Sequence, residues 1–261
     1  MMQTNQTKAK LLAGEVVVGC GLSYPDPELV ELIGAAGFDF VRFEGEHGPL
    51  DYVDLEHLVR AAELWNLTPA ARVPGIDQIL QYLDRGVTTI TVPHVESRDQ
   101  AEACVQVAKH YPLGRRGHNG GGRMSRYGYE KRSAREYYEH LNAETLLIAL
   151  IETEEGLRNA DEIASTPGID MIDIGPSDLA QSLGLPEPAE LEAAIDRIAL
   201  AAKRAGKPYG VGTTMTLNEP DKMRRWVEKG SRYFLCNATD LFKIAAANAL
   251  RTMEPIRAAS V

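Results

Sequence analysis

Short apolar runs recur eight times along the chain, and a stretch with helical spacing or a helix stop signal follows each of them. The runs fall at 15–20, 38–43, 69–73, 87–92, 145–152, 171–178, 206–212 and 233–236. Helical stretches lie at 25–36, 51–65, 75–85, 97–110, 131–142, 153–167, 188–205, 219–229 and 240–257. Gly37 and Gly168 act as C-caps and Asp51 as an N-cap. Strand, helix, strand units in strict alternation make parallel neighbours, with the ends of successive strands on one rim. Eight units without a split into halves predict the α/β class and a (β/α)8 TIM barrel, for which 261 residues is an ordinary size. A single domain over 1–261 is expected, with residues 1–12 a polar N-terminal extension.

In such a barrel the reacting groups sit where strands end at their C-termini. That rule selects Glu44, Glu46, His47, Arg72, Glu152, Ser177 and Asp178 from the many polar residues present. Thr145-Leu-Leu-Ile-Ala-Leu-Ile-Glu152 and Met171-Ile-Asp-Ile-Gly-Pro-Ser-Asp178 are consecutive units, so their terminal acids reach the same rim. Two carboxylates with open positions beside them suit a hard divalent cation, Mg²⁺ or Mn²⁺ before zinc. The alternative is that each acid favours its own helix N-terminus. Gly175, Pro176 and Ser177 open the helix that carries Asp178, where backbone N–H groups can hold a substrate carboxylate.

His47, in a loop bounded by glycine and proline, reads as a general base or as a solvent-facing histidine. His94, after strand four, and His118 rank below it. Arg72 ends its strand either as an oxyanion donor or in an ion pair with Glu44 or Glu46. Asp84 closes a helix at the wrong end of the dipole, so it needs a partner such as a histidine or Arg85. Residues 112–129 break the alternation with a glycine-rich, arginine-rich stretch that reads as a candidate lid, without the lysine of a phosphate loop.

A net charge of -9 argues against a nucleic-acid groove and for a small-molecule partner. No apolar stretch approaches the ~18 residues that span a bilayer, and the first ten residues lack the core of a signal peptide. Cys20, Cys104 and Cys236 are scattered without a paired spacing. A cytoplasmic protein that meets no membrane is expected.

Taken together, 37–49 (ending Glu44-Gly-Glu-His-Gly-Pro49), Arg72-Val-Pro74, Leu83-Asp-Arg-Gly86, Gly114-Arg-Arg-Gly117, Ile151-Glu-Thr153 and Ile174-Gly-Pro-Ser-Asp-Leu179 resemble the HpcH/HpaI family of metal-dependent class II aldolases. The likeness covers nearly the whole chain. It implies a barrel of the phosphoenolpyruvate/pyruvate superfamily that cleaves a 4-hydroxy-2-oxo acid to pyruvate, or hydroxypyruvate, and an aldehyde. By the same likeness Glu152 and Asp178 bind the metal, Mg²⁺ or Mn²⁺ with Co²⁺ as a third choice, and His47 accepts the proton. Arg72 stabilises the transition state, Asp84 raises the basicity of His47, and Gly175, Pro176, Ser177 and Asp178 hold substrate. The family's homohexamers exchange terminal helices, a use open to 240–258. Two places depart from the family pattern: Leu150 stands where many members carry glutamine, and Glu44 where aspartate is usual. The neighbouring chemistry is another metal-enolate lyase, an oxaloacetate decarboxylase or a citramalyl/malyl-type lyase.

Overall fold

The computed structural model describes residues 4–214 and 220–258. Residues 1–3 of the expected extension, and Glu219 at the start of an expected helix, lie outside them. Among the described residues eight parallel strands close in sequence order into a barrel: β1 Val17–Leu22, β2 Phe40–Glu44, β3 Thr68–Arg72, β4 Thr89–Val92, β5 Leu146–Ile151, β6 Met171–Ile174, β7 Tyr209–Thr214 and β8 Tyr233–Asn237. The ring closes where β8 pairs with β1, Val17 beside Tyr233. The expected (β/α)8 barrel is the fold.

The strands read as unbroken apolar runs because both of their faces are covered. Val17, Phe40, Ala70, Ile148, Met171, Tyr233 and Leu235 fill the barrel interior. Their neighbours Val41, Ala71, Ile90, Leu147, Ala149, Ile172 and Phe234 face the surrounding helices. Phe40 stacks on Tyr233 with ring centroids 4.5 Å apart. A Cβ at position 19 would lie 2.1 Å from the Phe40 ring, which is why β1 carries glycine there.

The N-terminal end of the barrel is plugged. Helix Gln6–Leu12 starts at Asn5, whose side chain accepts the Lys8 N–H, and buries Thr7, Lys8 and Leu11 although the stretch is polar in composition. The Lys8 ammonium donates to the Thr145 carbonyl at 2.7 Å and pairs with Asp170 at 2.9 Å, tying the plug to the start of β5.

Topology also corrects the reading of 112–129 as a lid. Helix Arg98–Ala108 runs away from the mouth, so the loop between it and β5 lies at the N-terminal end of the barrel. There Arg116 and Asn119 donate to Asp84, Arg123 pairs with Glu63, and His118 meets Tyr137 edge-on. It cannot close over the mouth of its own barrel.

Helix Ala238–Ala258 packs on β1 and β8 near its start, and further along it exposes Phe242, Leu250, Met253 and Ile256.

Gly19→Ala forces a methyl group into the Phe40 ring and is expected to cost about 1–3 kcal/mol, read from the urea unfolding midpoint. An unchanged midpoint would mean that the ring moves aside freely.

Candidate active site

β2 and β3 pair with Glu44 beside Arg72, which delivers both side chains to the C-terminal mouth. The Arg72 Nε donates to Glu44 Oε1 at 3.1 Å and Oε2 at 2.9 Å, while its Nη2 lies 2.7 Å from Oε2. Its Nη1 lies 3.0 Å from Glu46 Oε2. The ion-pair reading of Arg72 is thus what the structure shows, with both Glu44 and Glu46 as partners holding the guanidinium at the mouth. Burial works against each charge, but the pairing outweighs it, so Glu44 is held below the ordinary carboxylate range and Arg72 above its own usual value. Glu44 also accepts the backbone N–H groups of Glu46 and His47 at 2.9 and 3.1 Å, fixing the loop that carries them.

Glu152 follows β5 directly and is only 2% exposed. Its Oε1 accepts the His94 backbone N–H at 3.1 Å. Burial, followed by the charges of Asp178 and Glu46, raises its carboxyl from the ordinary 4.5 to about 6, against the opposing pull of His94. No lysine or arginine forms an ion pair with Glu152 among the described residues. The next unit comes close because position 175 is glycine: a Cβ there would lie 2.5 Å from Glu152 Oε2. The exposed Ser177 and Asp178 follow on the first turn of helix Pro176–Ser182.

Three acids thus converge on one part of the rim, and a divalent cation would relieve their repulsion. No group of three or more His, Cys, Asp or Glu side chains stands in metal-binding geometry among the described residues. A pair of carboxylates with the other positions left to water and substrate is the arrangement that fits an oxygen-preferring ion.

His94 is the residue that sequence reasoning ranked too low. Its backbone takes the left-handed conformation, φ 51°, which a residue with a side chain adopts only where its surroundings fix it. Its Nδ1 lies 3.4 Å from Glu152 Oε1 and its Nε2 3.4 Å from Glu46 Oε1, so the ring bridges two site acids. The signal available in the sequence was its place just after strand four. His47 is the more exposed of the two, with its Nε2 3.8 Å from Glu46 Oε2. Asp84 is not brought to this cluster: it closes helix Ile79–Asp84 at the other end of the barrel, paired with Arg116. Below the site, Arg42 and Asp173 face each other inside the barrel at 3.9 Å, and burial raises the Asp173 carboxyl above its usual value.

A closed parallel barrel that gathers an anchored arginine, acids and histidines at its C-terminal mouth, and plugs the other end, is the anatomy of a (β/α)8-barrel enzyme. Residues 19–233 match the HpcH/HpaI aldolase/citrate lyase family, and the chain belongs to that family. It is therefore a carbon–carbon lyase by descent. It is 35% identical over 252 residues to a 4-hydroxy-2-oxovalerate aldolase of Novosphingobium aromaticivorans, covering 94% of this chain and 92% of that one. It is 33% identical over 239 residues to a 2-dehydro-3,6-dideoxy-6-sulfogluconate aldolase of Pseudomonas putida, covering 89% and 90%. The crystal structure of the citrate synthase SbnG superposes with a TM-score of 0.83 at 30% identity, covering 95% of this chain and 97% of the other.

Because Glu152 carries a carboxyl raised to about 6, its ionised form is disfavoured in the fold. Metal-free protein should lose stability as pH rises from 4.5 to about 6 and hold that loss above. Glu152→Gln keeps the acceptor for His94 and removes the charge, so it should be more stable than the parent by about 1–2 kcal/mol at pH 8 and equal to it at pH 4. Urea unfolding at the two pH values checks this, and an equal difference at both would contradict it.

Proposed function

We propose that the chain is a divalent-metal-dependent aldolase. It would cleave a 4-hydroxy-2-oxo acid reversibly to pyruvate, or a close 2-oxo acid such as hydroxypyruvate, and an aldehyde. The observation that carries this reading is the buried carboxylate of Glu152, crowded by two other acids and paired with no lysine or arginine among the described residues, beside an arginine fixed for use. Glu152 and Asp178 would hold the ion, Mg²⁺ or Mn²⁺ first and Co²⁺ third. When bound, the ion supplies Lewis acidity toward the carboxylate and 2-oxo oxygen of the substrate.

The chain's own groups do the rest. Gly175, Pro176, Ser177 and Asp178 form the turn against Glu152 where the substrate carboxylate would rest. His47, exposed on its loop, takes the proton of the C4 hydroxyl directly or through a water. As the C3–C4 bond breaks, its electrons pass to the 2-oxo fragment, and Arg72 faces the negative charge that develops on oxygen there. The aldehyde leaves and C3 regains a proton. Leu150, buried on β5 two positions before Glu152, gives the pocket an apolar wall where a glutamine would have offered a donor.

The chain would work as one catalytic domain in the cytoplasm on small molecules, without nucleic acid or membrane. A homohexamer would cover the apolar side chains of helix Ala238–Ala258. It also gives Asp84 its one route to His47, since within a single chain the two lie at opposite ends of the barrel. The likeness to a citrate synthase favours a second reading, another metal-enolate enzyme such as an oxaloacetate decarboxylase or a citramalyl/malyl-type lyase. Product analysis separates them, since carbon dioxide without aldehyde would overturn the aldolase.

Arg72→Ala should lower kcat for cleavage by ~10² to 10³, the usual cost of removing an oxyanion donor. Steady-state assay of pyruvate release, with metal saturating, is the measurement. A change confined to KM would remove Arg72 from the transition state.

A further inference from the structure

Side chains alternate along a strand, so Phe40, Arg42 and Glu44 share the inward face of β2. Phe40 belongs to the packed layer that fills the barrel, with Tyr233, Met171 and Ile148, none of them more than 1% exposed. Glu44 stands at the rim. Arg42 lies between these levels, yet its side chain is 13% exposed, close to the 15% of Arg72 at the mouth. Its register neighbours on β1 and β3 are Gly21 and Ala70, too small to cover it. With a packed layer beneath, that exposure opens upward into the mouth.

The two arginines differ in their partners. Arg72 is matched by Glu44 and Glu46, whereas Arg42 is engaged among the described residues by Asp173 alone, at 3.9 Å from across the ring. That distance is beyond hydrogen-bond reach. The charge of Glu44 also acts on Arg42, but the Glu44 oxygens are taken by Arg72. A guanidinium carries five N–H donors and no acceptor, so Arg42 faces the mouth with donors to spare. Leu150, beside Asp173 in the pairing of β5 with β6, offers none.

We propose that Arg42 is a specificity-determining residue, donating to an oxygen-bearing group on carbon 3 of the bound 2-oxo acid. The inference rests on the placement of that acid under Proposed function, not on which bond is cleaved. In that placement the carboxylate and the 2-oxo oxygen are held at the rim by the turn at 175–178 and the ion, and the C4 side faces His47 on its outer loop. The direction left to a substituent on C3 is down the barrel, toward Arg42. A hydroxyl or a carboxylate there gains a charge-assisted bond that the bare methyl of pyruvate cannot make.

Lactate, glycerate and malate share a carboxylate and a C2 oxygen and differ on C3, which carries hydrogen alone, a hydroxyl or a carboxylate. Calorimetric titration of each into the Mn²⁺-loaded, full-length protein reads the preference. The parent should bind glycerate or malate at least about tenfold more tightly than lactate, and the tighter of the two names the group on C3. Arg42→Met should erase that advantage over lactate. So should Arg42→Met with Asp173→Asn, which removes the buried charge the single change leaves alone and serves if that variant does not fold. Lactate bound by the parent as tightly as the other two, or an advantage kept in the variants, would overturn the assignment while the metal reading stands. Failure of all three to bind would remove the placement itself, and the assignment with it.

Discussion

A buried carboxylate with no lysine or arginine paired to it among the described residues is the constraint around which the mouth is built. Glu152 is almost fully buried, yet its direct contacts are the His94 backbone N–H and imidazole, and nearby acids add repulsion. Its surroundings both hold that charge and press against it. Gly175 leaves room for it, the left-handed turn at His94 aims an N–H at it, and the neighbouring unit brings Asp178 close. A protein that needed only stability would put an apolar residue or a salt bridge there. The energy held in this arrangement is available to whatever cation binds.

The same mouth contains the opposite solution a few ångströms away. Arg72 is fully matched, by Glu44 through two nitrogens and by Glu46 through a third. The matching costs Arg72 none of its charge and removes its freedom to move, which is what an oxyanion donor requires. In the proposed reaction an acid left short of charge balance would serve the ion and a guanidinium held rigid would serve the substrate, two parts of one division of labour. It rests on a single geometrical fact, that β2, β3, β5 and β6 all end on one rim.

Much of this was legible in the sequence because the barrel's rules are local. Each apolar run announces a strand buried on both faces, and the residue where the run stops must lie on the rim. Glu44, Arg72 and Glu152 were found that way. What escaped depends on closure. The Arg42 and Asp173 side chains meet only because strands β2 and β6 face each other across a closed ring. His94 becomes a bridge only through a left-handed turn, a conformation histidine tolerates better than most residues but that its spacing in the sequence does not predict. The glycine-rich loop 112–129 was misplaced for a different reason: its composition suggests a lid, whereas its position between a helix and the next strand assigns it to the opposite end. Order along the chain was the better guide.

Calorimetric titration of Mn²⁺ into metal-stripped protein reaches the centre of the account most directly. The parent chain should take up one ion per protomer and release protons near pH 6, and both Glu152→Gln and Asp178→Asn should lose that uptake while remaining folded. Uptake of the ion undiminished in both variants would mean that the two acids serve some other purpose, and the assignment of the mouth would fall.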